Sequence, residues 1–277
     1  MADSMAQETR VGAHKERIDR VVTYIHENLD APLDMDVLGE IACLSPHHWH
    51  RIYREIMGET ASQTVRRRRL WRAAHQLLNT PDSIEQVARV AHYSSTAAFT
   101  RAFTNQYGTS PSLYRSKGKT TQMTSIEKRS IDPIELIGMD HQGPHYEIGR
   151  TFDRLFAWAS TTDGIITPET KGISVFFDDP TQKPPEELTS LAAIPRPDGK
   201  EPGEGTRSYT IPGGPHAIAR HVGPYTELAR TYTELFQNWL PASGEARNGA
   251  PLFEINLNDP KTTAPADLIT DIYVPLK

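Results

Sequence analysis

The sequence predicts an α+β protein of two domains: an all-α N-terminal half and an α+β C-terminal half built on an antiparallel sheet. Three observations predict it. Apolar residues recur at helical spacing from Arg17 to Arg115, then at strand spacing from about residue 125. Each half also contains an internal duplication. Charge divides the same way: residues 1–119 hold 16 Lys and Arg against 13 Asp and Glu, net +3, and residues 120–277 hold 14 against 22, net −8. The polar, aperiodic run "SKGKTTQMTS" at 116–125 marks the seam. The expected division is an unstructured N-terminus at 1–14, a helical domain at 15–117, a linker at 118–125 and a second domain at 126–277.

The first helix carries Ile18, Val21, Val22 and Ile25, and "DAPLD" ends it. Asp34 caps a short helix with Val37, Leu38 and Ile41. Ser45 caps the next, with Pro46 in its first turn and Gly58 as its stop. The run "SQTVRRRRLWRAAHQLLN" is a long helix closed by Asn79-Thr80-Pro81. The plan then repeats in "SIEQVARVAHYSSTAAFTRAFTNQYG", where Ser95, Arg101, Phe103 and Gly108 stand 50 residues after Ser45, Arg51, Tyr53 and Gly58. A short helix, a tight turn and a polar-faced second helix make a helix-turn-helix. Two of them in one chain place two reading helices on one DNA face, roughly 34 Å apart, so that a monomer suffices.

The stretch "SPHHWHR" at 45–51 puts three of the chain's 11 histidines within four positions. They lack the i, i+4 histidine pair and supporting acid of a helical zinc site. A solvated helix face and a nucleic-acid contact are the other readings, and on residues alone all three stay open. No metal or cofactor is expected. The arginines Arg66–Arg69 and Arg72 point all around their helix, so at most two can anchor a phosphate backbone. One cysteine, Cys43, excludes an internal disulfide and fits a reducing cytoplasm. No apolar run approaches the roughly 18 residues of a membrane span.

The segments "LGEIACLSPHHWHRIYREIMGET" and "RRRRLWRAAHQLLNTPDSIEQVARVAHYSSTAAFTRAFTNQYGTSPSLYR" resemble the AraC/XylS DNA-binding domain over about 100 residues. The resemblance implies base reading by His47, His50, Arg51 and Arg54 on the first recognition helix, and by Thr96, Ala97, Thr100 and Arg101 on the second. Arginine is the common bidentate reader of guanine, and Ala and Thr methyls meet thymine methyls. His48 falls off that stripe and is expected at phosphate. Cys43 and His92 stand at turn positions where the family has glycine. Promoter DNA, RNA polymerase and a place on the bacterial nucleoid follow from the resemblance.

In the C-terminal half, "SIEKRSI", "LIGMDHQG", "GISVFFDD", "HAIARHVG", "LFEINLND" and "LITDIYVPL" read as strands. Two helices, "GPHYEIGRTFDRLFAW" at 143–158 and "GPYTELARTYTELFQN" at 223–238, align at an offset of 80. The domain is thus two strand–strand–helix–strand units sharing one sheet, both helices on one face. The Pro/Gly/Glu-rich run "DPTQKPPEELTSLAAIPRPDGKEPGEGT" reads as the connection between them.

This half resembles the GyrI-like small-molecule-binding domain, carried by "FFDDP", "HVGPYTELARTYTELFQNWLP", "LFEINLNDP" and "TDIYVPL". Strand alternation sets Glu254 and Asn256 on the face opposite Phe253, Ile255 and Leu257. By pattern alone Glu254 is a solvated strand residue or the acid of a pocket. The resemblance implies the pocket, with Tyr225, Trp158, Tyr146 and Phe177 as its aromatic wall and a hydrophobic, cationic effector, as in multidrug sensing. The leading expectation is a ligand-responsive regulator and not an enzyme. The alternatives are a hydrolase of reactive toxic molecules, with Glu254 as base beside Tyr225, and a topoisomerase-interacting module.

Overall fold

The computed structural model describes residues 2–117 and 125–277, with side chains throughout except at 2–13, 46–47 and 117. The chain forms two compact units, Met1–Ala102 with Asp153–Thr167, and Phe103–Phe152 with Pro168–Lys277. The 118–125 linker lies, apart from Ser125, outside the described residues.

In the helical unit, α1 runs from Ala2 to Glu27. The expected unstructured stretch at 1–14 is therefore helical from residue 2, because Ala, Met, Glu, Gln and Arg there favour helix and no proline interrupts them. Next come α2 (Met35–Ile41), α3 (Pro46–Met57), α4 (Ala61–Asn79), α5 (Ile84–Val90) and α6 (Thr96–Tyr107). Asp34 caps α2 through its side chain, and capping boxes open α4 (Thr60 with Gln63) and α5 (Ser83 with Gln86). Ile18, Val21, Val22 and Ile25 form the core with Leu38, Trp49 and Tyr53. Gly39 is required there, since a Cβ would stand 2.9 Å from the Trp49 indole nitrogen.

Both turns of the tandem repeat are built alike. Leu44 N–H bonds Gly39 C=O, and Tyr93 N–H bonds Ala88 C=O, the wide bond of a Schellman-type stop. Such a stop needs a left-handed residue. Cys43 (φ 51°) and His92 (φ 59°) supply it in place of glycine, so the turns keep their shape at some strain.

The second unit opens with the end of α6 and α7 (Pro111–Lys117). Its strands are β1 (Ser125–Ile131), β2 (Ile134–Gln142), β3 (Gly172–Phe176), β4 (Thr189–Pro195), β5 (Arg207–Ile211), β6 (Gly214–Val222), β7 (Leu252–Asn256) and β8 (Ile269–Pro275). Among the described residues they form one eight-stranded antiparallel sheet in the order β1-β6-β8-β7-β3-β4-β2-β5. Helix α8 (Gly149–Ser160) follows β2, and α9 (Leu228–Thr233) follows β6.

The 80-residue duplication holds strand for strand: β2, β3 and β4 map onto β6, β7 and β8. Each repeat lends its first strand to the other, β1 pairing with β6 and β5 with β2. The repeats meet where β3 pairs β7, and there Ser174 lies directly opposite its own counterpart, Glu254. The sequence-predicted connection hides a strand. Within it, β4 sits inside the sheet between β3 and β2 and its middle five residues are buried, so each unit has one strand more than expected.

One sheet face carries an apolar core with Leu136, Ile173, Val175, Ile218, Phe253 and Tyr273. The helices take the other face. His141 on β2 bonds Thr151 of α8, and His221 on β6 bonds Thr231 of α9, each at 2.9 Å. The second ring nitrogen of each histidine meets a proline carbonyl, Pro144 or Pro224, at 3.2 Å. A carbonyl only accepts, so Nε2 carries the proton and Nδ1 accepts from the threonine hydroxyl. Burial pushes His141 down to about 4, which keeps the latch neutral.

The two helices then diverge. Helix α8 is regular over its twelve residues, whereas α9 widens into a π-helix at Glu234–Trp239 before α10 (Leu240–Ser243). Pro241 explains the widening: its ring would collide with the carbonyl four residues back in an α-helix.

Candidate functional site

Two regions carry the chemistry. In the helical unit, α3 and α6 each bury one side and expose the other. Trp49, Ile52 and Tyr53 are buried on α3, while His50, Arg51 and Arg54 are exposed. On α6, Phe99 and Ala102 are buried, Thr96, Ala97 and Arg101 are exposed, and Thr100 is half-buried. The His47 side chain lies outside the described residues. The His50 ring stacks on Trp49 with centroids 4.0 Å apart, which fixes its plane and leaves its edge outward. Arg51 meets Glu55 at 3.9 Å with both side chains about two-thirds exposed, a weak pair that leaves the guanidinium available.

Two expectations are corrected here. His48 is half-buried and meets the ring of His14 edge-on at 5.7 Å, so it packs against α1 instead of standing out for phosphate. The arginine run is mostly used inside the unit. Arg69 donates to the carbonyls of Leu29 and Ala31, Arg72 pairs with Asp30, and Arg66 bonds Tyr93. Arg67 and Arg68 converge on Asp153 of α8, which is 3% exposed and also accepts from His26 at 3.0 Å. Arg67 pairs with Glu59 as well, and Glu59 accepts from Thr64, which in turn accepts from Tyr53 on α3. Two guanidiniums thus face two carboxylates in the interior. Burial alone would raise Asp153, but the two arginines hold it well below the usual carboxylate range. Burial lowers His26, so its ring is the neutral donor of the cluster.

In the sheet unit the centre is Glu254, 7% exposed in the middle of β7. It lies on the helix-bearing face beside Ser174 and Ile272. Tyr232 of α9 donates its hydroxyl to Glu254 Oε1 at 2.6 Å. Burial pushes Glu254 up to about 7, with the tyrosine hydrogen bond opposing the rise. Tyr232 stacks on Phe236, and the Arg247 guanidinium lies 5.5 Å over the Phe236 ring. A carboxyl poised between neutral and ionised under an aromatic cover can take up a proton or a desolvated cation.

The expected aromatic wall is redistributed. The tyrosine joined to Glu254 is Tyr232, seven residues after Tyr225, which stands in the turn Tyr225–Glu227. Trp158 belongs to the helical unit, buried, with the Lys15 amine 5.6 Å from its ring. Phe177 packs with the core of the opposite sheet face, against Tyr209. Strand parity puts its neighbour Phe176 on the Glu254 side instead. Tyr146 is 45% exposed, and the residue of its turn that meets Phe176 is His145, at 4.6 Å. Tyr232 had a signal in the sequence: its repeat counterpart is Phe152, so only the acid-bearing repeat gained the hydroxyl.

Residues 124–277 match the family model described as a GyrI-like small molecule binding domain, and residues 38–117 match one described as a helix-turn-helix domain. The probable transcriptional regulator YgiV of Escherichia coli (strain K12) is 30% identical over 127 residues, covering 44% of this chain and 78% of YgiV. The regulatory protein SoxS of the same strain is 32% identical over 103 residues, covering 37% of this chain and 96% of SoxS. A DNA gyrase inhibitor of Edwardsiella piscicida is 31% identical over 160 residues, covering 55% of this chain and 96% of that protein.

Proposed function

The chain belongs to the GyrI-like family and carries an AraC-type helix-turn-helix DNA-binding domain ahead of the GyrI-like domain, and from that premise we propose that it is a regulator answering to a lipophilic cation. The observation that carries this reading is the buried Glu254–Tyr232 pair. Without ligand, burial holds Glu254 toward its neutral form near neutrality, and ionising it there works against the fold. A cation with aromatic or alkyl bulk stabilises the ionised carboxylate, while its apolar surface replaces the cover that Tyr232 and Phe236 supply. Hydrolysis is the weaker reading, since Oε1 is already engaged and the acid is shielded from the water it would activate.

At the DNA, His50, Arg51 and Arg54 of α3 and Thr96, Ala97, Thr100 and Arg101 of α6 are the proposed base readers. Two reading helices in one chain serve in place of a dimer, so the protein acts on promoter DNA as a monomer, in the cytoplasm and alongside RNA polymerase. Footprinting with and without tetraphenylphosphonium tests both halves. Arg51→Ala and Arg101→Ala should each weaken specific binding by about 1–3 kcal/mol and relax one base position. Glu254→Gln should abolish the response to the cation and leave ligand-free DNA binding intact. Unchanged footprints in both arginine variants would move the readers elsewhere, and a full cation response in Glu254→Gln would move the ligand.

A further inference from the structure

The two repeats carry polar differences around the seam where they meet. Glu254 faces its counterpart Ser174, Tyr232 stands for Phe152, and Asn256 stands for Phe176. The last exchange leaves a loose end. In the second repeat Thr270 bonds Asn256 Oδ1 at 3.4 Å. In the first, the matching Ser190 is paired in register with Phe176, which offers it no acceptor. Ser190 is 1% exposed, and its hydroxyl has no hydrogen-bond partner among the described residues. His145, whose ring lies 4.6 Å from Phe176, has a buried Nε2 in the same condition. Burial lowers the His145 pKa, so the ring is neutral and offers one donor and one acceptor.

These groups share the face of Glu254. Register carries it from Glu254 to Ser174, from Ser174 to Ala192, and two residues along β4 to Ser190. Ordinary strand spacing puts Ser190 roughly 12 Å from Glu254 between Cα atoms. We propose that Ser190 and His145 are specificity residues for the effector, receiving a hydroxyl or amide group seated over Phe176 at the end of the molecule away from its cation. The effector class is therefore a lipophilic cation with a polar far end. Two buried polar atoms left unpaired destabilise the free protein, and a ligand group that satisfies both restores what burial took from them.

This rests on the reading of Glu254 as the cation site, and two probes separate the two ideas. Full-length protein is titrated at pH 8 with tetraphenylphosphonium and with (4-hydroxyphenyl)triphenylphosphonium, which differ by one hydroxyl. Wild type should prefer the phenol about tenfold, the discrimination a single well-placed hydrogen bond supplies. In Ser190→Ala and in His145→Phe the ratio should fall to about one. Ser190→Ala should also melt about 2–4 °C higher without ligand, because it removes an unpaired buried hydroxyl. Tetraphenylphosphonium binding with no phenol preference, or a preference that survives both variants, overturns the specificity role alone. Binding of neither probe to wild type overturns the cation site and this inference together.

Discussion

The two repeats of the sheet unit have the same strands, the same turns and the same histidine–threonine latch, yet their helices carry opposite chemistry. Helix α8 bears Asp153, a buried carboxylate paired with two arginines and held ionised. Its repeat position on α9 is Thr233, exposed and donating its hydroxyl to the Ala229 carbonyl one turn back. Helix α9 instead covers Glu254, a buried acid with no cation paired to it among the described residues, held toward its neutral form. Duplication supplied two equal scaffolds. One became an anchor with its charges paired, and the other kept an acid held only by a tyrosine hydroxyl among the described residues, under a helix loosened by a π turn. A charge whose partners are all internal holds structure, while one whose partner is missing can report on what arrives.

The sharpest test of the anchor is Asp153→Ala. It removes the carboxylate on which two buried guanidiniums converge and should cost about 3–5 kcal/mol in denaturant unfolding. Thr233→Ala, at the matching position, should cost less than about 0.5 kcal/mol. Equal losses would erase the distinction between the repeats.

Next in size is the pH response, which should run in opposite directions for the two acids. Asp153 is depressed in the folded state, so its stabilisation is present above the ordinary carboxylate range and is lost as pH falls through it. Glu254 is raised from 4.5 to about 7, so its fold is most favoured below 4.5 and loses stability as pH climbs to 7. That interval corresponds to about 3 kcal/mol. Glu254→Gln should remove this loss, giving a variant that matches wild type near pH 4 and exceeds it in Tm at pH 8. A constant difference across the range would mean the acid titrates normally.

The shared latch should respond equally in both copies. His141→Ala and His221→Ala each take the partner from a buried threonine hydroxyl, at about 1–3 kcal/mol apiece. A large inequality would show that the repeats differ in their latches as well as in their acids. The smallest effect belongs to the other duplication. Cys43→Gly and His92→Gly should each stabilise the helical unit by about 1 kcal/mol, by relieving left-handed strain. A loss in either variant would show that the side chain contributes packing that outweighs the strain.

Much of this design was legible in the sequence. The tandem helix-turn-helix, the 80-residue duplication and the parity that isolates Glu254 from Phe253 are all periodic signals, and periodicity survives without coordinates. What was hidden has several physical causes, and the first is partners far apart in the chain. Arg67 and Arg68 read as a solvated run because their carboxylate stands some 85 residues away on α8. Strand β4 was lost inside a Pro/Gly/Glu-rich connection because a strand buried on both faces shows no alternation. Tyr232 and Phe176 were passed over for Tyr225 and Phe177, since distance along a strand or helix says less than which side a residue takes.

The exchange of first strands between the repeats bears on how the chain is made. β1 pairs with β6, so Ser125 meets Arg220, and β5 returns to β2 across some 70 residues. As the chain leaves the ribosome, the first repeat can form its β3–β4 hairpin but cannot complete its own edge. Its β1 has no neighbour in the sheet until β6, the second strand of the second repeat, has been synthesised, and the acid-bearing β7 follows later still. Synthesis thus exposes an unfinished sheet edge for the longest interval in the repeat that ends as the anchor. The site at Glu254 is assembled only in the closing steps, from strands that have waited for it.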